Sequence, residues 1–109
     1  MNRELSNCSL RVPIVELNGW FKRLMGLMFK LEIHEEVFYL LSPCNSIHTF
    51  NMKLAIDVVF LDQNNRVLKL YENVGKNKMI RCKGANKVLE GRVGLVSHYR
   101  IDVGKKICW

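Results

Sequence analysis

Apolar positions along this chain follow two periods in succession, and the change between them predicts the layout. Leu10 to Leu17 reads as a first strand, because Val12, Ile14 and Val15 are β-formers and Pro13 suits an edge position where a missing N–H does no harm. After Asn18, a good N-cap, Trp20, Phe21, Leu24, Leu27 and Met28 recur with a helical period while Lys22 and Arg23 fall off the stripe. Gly26 costs about 1 kcal/mol inside a helix, so it is expected to close a short helix running from Trp20 to Met25.

Downstream the period moves towards 2. Val37 to Leu41, Ile47 to Phe50, Val58 to Leu61 and Val67 to Tyr71 are short apolar or alternating runs parted by turn residues. The unbroken run Val58-Val59-Phe60-Leu61 predicts a strand buried on both faces, and Asp62-Gln63-Asn64-Asn65 predicts a turn with Asn65 at positive φ. The hairpin from Val58 to Tyr71 is the firmest local expectation. Lys87 to Glu90 and Ile101 to Ile107 are further strand candidates, with Gly91, Gly94 and Gly104 as bends. The sum is a mainly β, compact antiparallel barrel or sandwich-like domain with one short helix after the first strand.

Length agrees with one folding unit over residues 1–109, and 49% hydrophobic residues suffice for its core. No stretch approaches the roughly 20 apolar residues of a membrane span, and no signal-like run opens the chain, so a cytoplasmic location is expected. Cys8, Cys44, Cys82 and Cys108 are spread without close pairs, which predicts free thiols rather than disulfides or a zinc ribbon. The net charge of +7 lies entirely beyond Glu72. Its densest part, Lys76, Lys78, Arg81, Lys83 and Lys87, has no aromatic residue between Tyr71 and Tyr99, so it reads as a solvated basic face before it reads as a nucleic-acid or phosphate contact.

Two blocks carry a recognisable pattern. Arg23-Leu24-Met25-Gly26-Leu27-Met28-Phe29-Lys30 is similar to the R-x-x-GLMFR signature of the DUF192 family, a domain of unknown function. Pro43-Cys44-Asn45-Ser46-Ile47-His48-Thr49-Phe50-Asn51-Met52-Lys53, followed by Ile56 to Asp62, is similar to its PC-x-SIHT-x-x-M…IDVVFLD stretch. Ala85 and Val88-Leu89-Glu90 match its A-x-x-VLE segment, whereas the family's Pro-Trp-Arg element is replaced here by Gly75-Lys76-Asn77-Lys78. The resemblance implies a mainly β fold, no established reaction, and an association with pilus assembly or secretion.

Several constellations invite chemistry. On a strand, Ser46 and His48 share a face and Thr49 takes the other, so Cys44 or Ser46 with His48 forms the core of a small hydrolase or transferase reading. No acid in the sequence can be assigned to orient His48, and a metal site at Cys44 and His48 would need distant ligands such as Cys8, Cys82, His34 or His98. Asp57 and Asp62 look like paired carboxylates, yet five extended residues part them by about 16 Å, which suits strand-end turns that accept backbone N–H groups. Glu90 is expected opposite Leu89, facing a cation such as Arg23, while Met25, Met28, Met52, Phe29 and Phe50 read first as core. The leading expectation is a non-catalytic accessory or binding module with no cofactor, whose surface near His48, Thr49 and Met52 includes Ser46 and Asp57 and uses Arg23 as a polar or anionic contact. Its partner is unknown, with a protein ahead of nucleic acid.

Overall fold

The computed structural model describes residues 8–17, 36–50 and 54–109. The helix expected from Trp20 to Met25 lies outside them. Nine strands are described: β1 Leu10–Arg11, β2 Ile14–Glu16, β3 Phe38–Leu41, β4 Ser46–His48, β5 Ile56–Leu61, β6 Val67–Val74, β7 Met79–Arg81, β8 Lys87–Arg92 and β9 Ile107–Cys108. One short helix, α1 Leu95–His98, follows β8. A five-stranded sheet has the order β2-β3-β8-β5-β6, and two two-stranded ribbons pair β1 with β9 and β4 with β7. Among the described residues the sheets do not close into a barrel, because β2 and β6 stand at the two ends of the central sheet.

Alternation along the three inner strands explains why their sequences are apolar throughout. Tyr39, Leu41, Ile56, Val58, Phe60 and Val88 join one buried cluster, while Phe38, Leu40, Val59, Leu61 and Leu89 join a second. Successive residues therefore feed opposite faces of one sheet, and both faces are covered. Ile47, Ile80 and Cys82, from the β4–β7 ribbon and its flank, pack against the first cluster. Leu95, Val96, Ile101, Ile107 and Val12 close the second.

The hairpin from β5 to β6 is antiparallel with Val58 opposite Tyr71, as its sequence predicts. Asn65 takes φ 67° in its turn. Asp62 accepts the N–H groups of Asn64 at 2.8 Å and Arg66 at 3.0 Å, the strand-end role expected of it.

Elsewhere the structure corrects the pattern. The run from Leu10 to Leu17 is two strands, since Val12 donates to the Cys108 carbonyl and the Pro13 carbonyl accepts from Phe38, so the chain changes partner at the proline. Both β1–β9 and β2–β3 are parallel rather than antiparallel, and residues 17–37 are long enough for the crossover that β2–β3 requires. Residues 101–106 form no strand, because Arg100 at φ 56° and Gly104 at φ 92° turn the backbone before β9. Gly91 is no bend. It lies within β8 where a Cβ would come within 2.6 Å of Leu95 and 3.0 Å of Phe38, so its lack of a side chain permits close packing on the second cluster.

The thiol expectation is also corrected. Cys8 and Cys108 form a disulfide across 100 residues of sequence, with Cα atoms 5.9 Å apart. The parallel pairing of Leu10 with Ile107 and Arg11 with Cys108 brings these termini together, which no local spacing reveals. Cys82 is a buried thiol, and the Cys44 thiol donates to the Ser46 carbonyl at 3.0 Å.

Candidate functional site

The β4–β7 ribbon is built by simple alternation. Ser46 pairs with Arg81, Ile47 with Ile80 and His48 with Met79. Ile47 and Ile80 point into the first apolar cluster, which commits the flanking positions to the outer face. Ser46, His48, Met79 and Arg81 are accordingly exposed, with Met79 at 71%. Phe50, at 40% exposure, stacks on His48 with ring centroids 5.2 Å apart and planes 24° from parallel. Phe50 is therefore surface and not core. Met79, opposite His48, is the residue sequence inspection missed, because β7 is three residues long within a polar stretch.

Thr49, also foreseen in the site, turns inwards. It is fully buried, its hydroxyl donates to the Gly75 carbonyl at 2.7 Å, and the same oxygen accepts the Lys78 N–H at 2.8 Å. Its own N–H donates to the Lys78 carbonyl at 2.8 Å. These bonds clasp the turn between β6 and β7 and so fix the ribbon's register.

Asp57 is held in a different way. It is fully buried in β5; one carboxylate oxygen accepts the Asn73 N–H at 2.9 Å, and the other accepts the N–H groups of Gly94 at 3.1 Å and Val96 at 3.0 Å. A strand carboxylate thereby caps α1, whose N-cap Gly94 has no side chain to do so. Asp57 and Thr49 pin neighbouring backbone at the end of β6, and neither presents a polar atom to the ribbon's outer face. Arg23 and Met52 lie outside the described residues.

The basic positions also separate. Lys76, Lys78, Arg81 and Lys83 are exposed on or beside β7, whereas Lys87 sits at the far end of the central sheet with its ammonium donating to the Gln63 carbonyl at 3.4 Å. No Asp or Glu occurs between Glu36 and Asp57 or between Glu72 and Glu90, so both ribbon strands come from acid-free stretches of sequence. That was the legible signal for this face: two acid-free segments with alternating residues, which pairing makes one cationic surface.

The chemistry available on the ribbon is limited. Ser46 and His48 share a face, but no acid of the described residues is bonded to His48, whose ring is engaged with Phe50. Among the described residues no group of three or more His, Cys, Asp or Glu side chains is placed to hold a metal ion. Glu90 faces the first cluster between Tyr39 and Val58, opposite to Leu89, and burial lifts its carboxyl pKa from 4.5 to about 7. A surface knot also escaped sequence inspection: Glu36 contacts Arg92 at 3.4 Å and His98 at 3.2 Å, and its carbonyl accepts the Tyr99 hydroxyl at 2.6 Å. Burial first, and then the negative charge of Glu36, raise the Tyr99 pKa. A concavity of about 420 Å³ lined by Arg11, Val12, Pro13, Ile14 and Trp109 lies along the β2 edge and includes none of these residues.

Comparison with known proteins agrees with this architecture. The model of DUF192, described as an uncharacterised ACR, matches residues 9–109. A UPF0127 protein of Pyrococcus horikoshii is 34% identical over 97% of this chain and 95% of its own length. Another, of Pyrococcus furiosus, is 27% identical over 92% of this chain and 89% of its own. Among solved structures, a protein of unknown function from Novosphingobium aromaticivorans superposes with a TM-score of 0.77 at 22% identity, covering 88% of this chain and 74% of that one. A putative transcription regulator from Sinorhizobium meliloti gives 0.75 at 18% identity, covering 85% and 78%. At such identities the two structures speak to the fold alone.

Proposed function

The chain belongs to the DUF192 family, and from that premise we propose that it is a non-catalytic binding module whose contact surface is the outer face of the β4–β7 ribbon, read by an anionic partner. The observation that carries this reading is the pairing of Ser46 with Arg81 and His48 with Met79 on one exposed face drawn from acid-free segments. Cations concentrated without interspersed acids raise the local concentration of anions, and the exposed Met79 and Phe50 add apolar contact area. In this reading the ribbon and the central sheet are two layers of a sandwich-like domain, and the core beneath holds the contact face rigid.

Titration of the 15N-labelled protein with inorganic polyphosphate tests the reading. Amide shifts are expected to concentrate at residues 46–50 and 76–83; shifts centred on Glu36, Arg92 and His98 instead would refute it.

Two further proposals stand apart. An association with pilus assembly or secretion rests on the family resemblance, and a reproducible partner from that apparatus in a purification at native expression tests it. On location, the Cys8–Cys108 bond favours an oxidising compartment over the cytoplasm expected from the sequence. No described helix is long and apolar enough to cross a membrane.

A further inference from the structure

The basic stretch by itself lacks an aromatic residue, and the fold supplies one. Pairing of β4 with β7 sets His48 directly opposite Met79, and Phe50 stacks on the His48 ring at 5.2 Å. A flat ring pair and an exposed thioether therefore stand on the face that carries Arg81, and the exposed Lys78 immediately precedes the same strand. We infer that this face binds single-stranded nucleic acid, with Phe50 and His48 as a base-stacking platform and Arg81, Lys78 and their basic neighbours as phosphate contacts; the inference rests on the ribbon being the surface that contacts an anionic partner.

The neighbouring chemistries fit less well. An acidic peptide would pair with the cations but leave the Phe50–His48 rings facing water, whereas each base offers a π-face to stack on them. A free phosphate asks for donors that converge, and these cations are instead strung along an extended strand and its flanking turns. A duplex keeps its bases stacked on one another inside the helix, so it offers no free π-face to the Phe50–His48 rings.

Fluorescence anisotropy with a labelled single-stranded oligothymidylate and its RNA counterpart, set against a duplex of the same length, inorganic polyphosphate and a polyglutamate peptide, tests the inference on the intact chain. Single strands are expected to bind most tightly, and their affinity to fall about 50-fold between 50 and 200 mM salt if four phosphates are neutralised. Phe50→Ala is expected to weaken single-strand binding by about 5-fold or more, with Phe50→Trp restoring it, while polyphosphate binding is unchanged in both. The pair of variants separates loss of stacking from loss of fold, which thermal melts of each also monitor. Equal binding of polyphosphate and oligonucleotide with no effect of Phe50→Ala, or preference for the duplex or the peptide, would overturn the single-strand inference and leave the anion-binding ribbon standing. Absence of binding by every anion at 50 mM salt, or binding unaffected by Lys78→Glu with Arg81→Glu, would overturn both.

Discussion

Asp57 and His48 are both polar residues near strand ends, and in the sequence they look equally suited to hold a ligand. In the folded chain they play opposite parts. Asp57 is enclosed, with its carboxylate shared among three backbone N–H groups from two separate segments. His48 lies on an exposed ribbon face against Phe50. A buried acid surrounded by N–H donors is committed to the fold, whereas a polar residue opposite a core-facing neighbour is available to a partner. The difference is one of what surrounds the side chain, which residue type alone does not convey.

The sharpest way to break this contrast is Asp57→Ala, which strands three buried or half-buried N–H groups and is expected to cost about 3 to 5 kcal/mol. Urea unfolding would show it as a fall in midpoint; a loss below 1 kcal/mol would mean that Asp57 is not the clamp it looks to be. Removal of the disulfide by Cys108→Ser is expected to cost about 2 to 5 kcal/mol, because the closed loop spans nearly the whole chain. Reductant should destabilise the parent protein and leave this variant unchanged.

Glu90 sharpens the comparison from within the core. Its pKa is raised in the folded state, so its contribution to stability is fully present below pH 4.5 and is lost as pH rises through about 7. The shift corresponds to about 3 kcal/mol at most. Glu90→Gln should therefore match the parent protein at pH 4 and exceed it in urea midpoint at pH 8; equal midpoints at both would show that the carboxyl is not desolvated. At the small end, His48→Ala on the exposed ribbon is expected to change stability by no more than about 0.5 kcal/mol. A larger loss in the same unfolding assay would reassign His48 to the fold.

Much of the central sheet was legible because local pattern and tertiary demand coincide there. Val58-Val59-Phe60-Leu61 reads as doubly buried, and both of its faces are covered. Asp62 and Asn65 read as a turn, and their hydrogen bonds and φ agree. The strand from Leu10 to Leu17 was legible only as extended chain, since its division at Pro13 depends on which partners β9 and β3 offer. Strand β7 escaped notice because three residues cannot display a period, and α1 because its cap is supplied from β5 rather than from its own sequence.

Sequence by itself determined the family, the mainly β character, the hairpin at the centre of the sheet and the placement of positive charge beyond Glu72. These are properties of residue type and short-range order, so they survive without knowledge of contacts. Tertiary structure alone decided that Cys8 meets Cys108, that Asp57 and Thr49 face inwards as clasps, and that Arg81 stands beside Ser46. Each depends on pairing between segments remote along the chain, where register selects the neighbours and the side-chain period of two then decides which of them face the core and which the solvent.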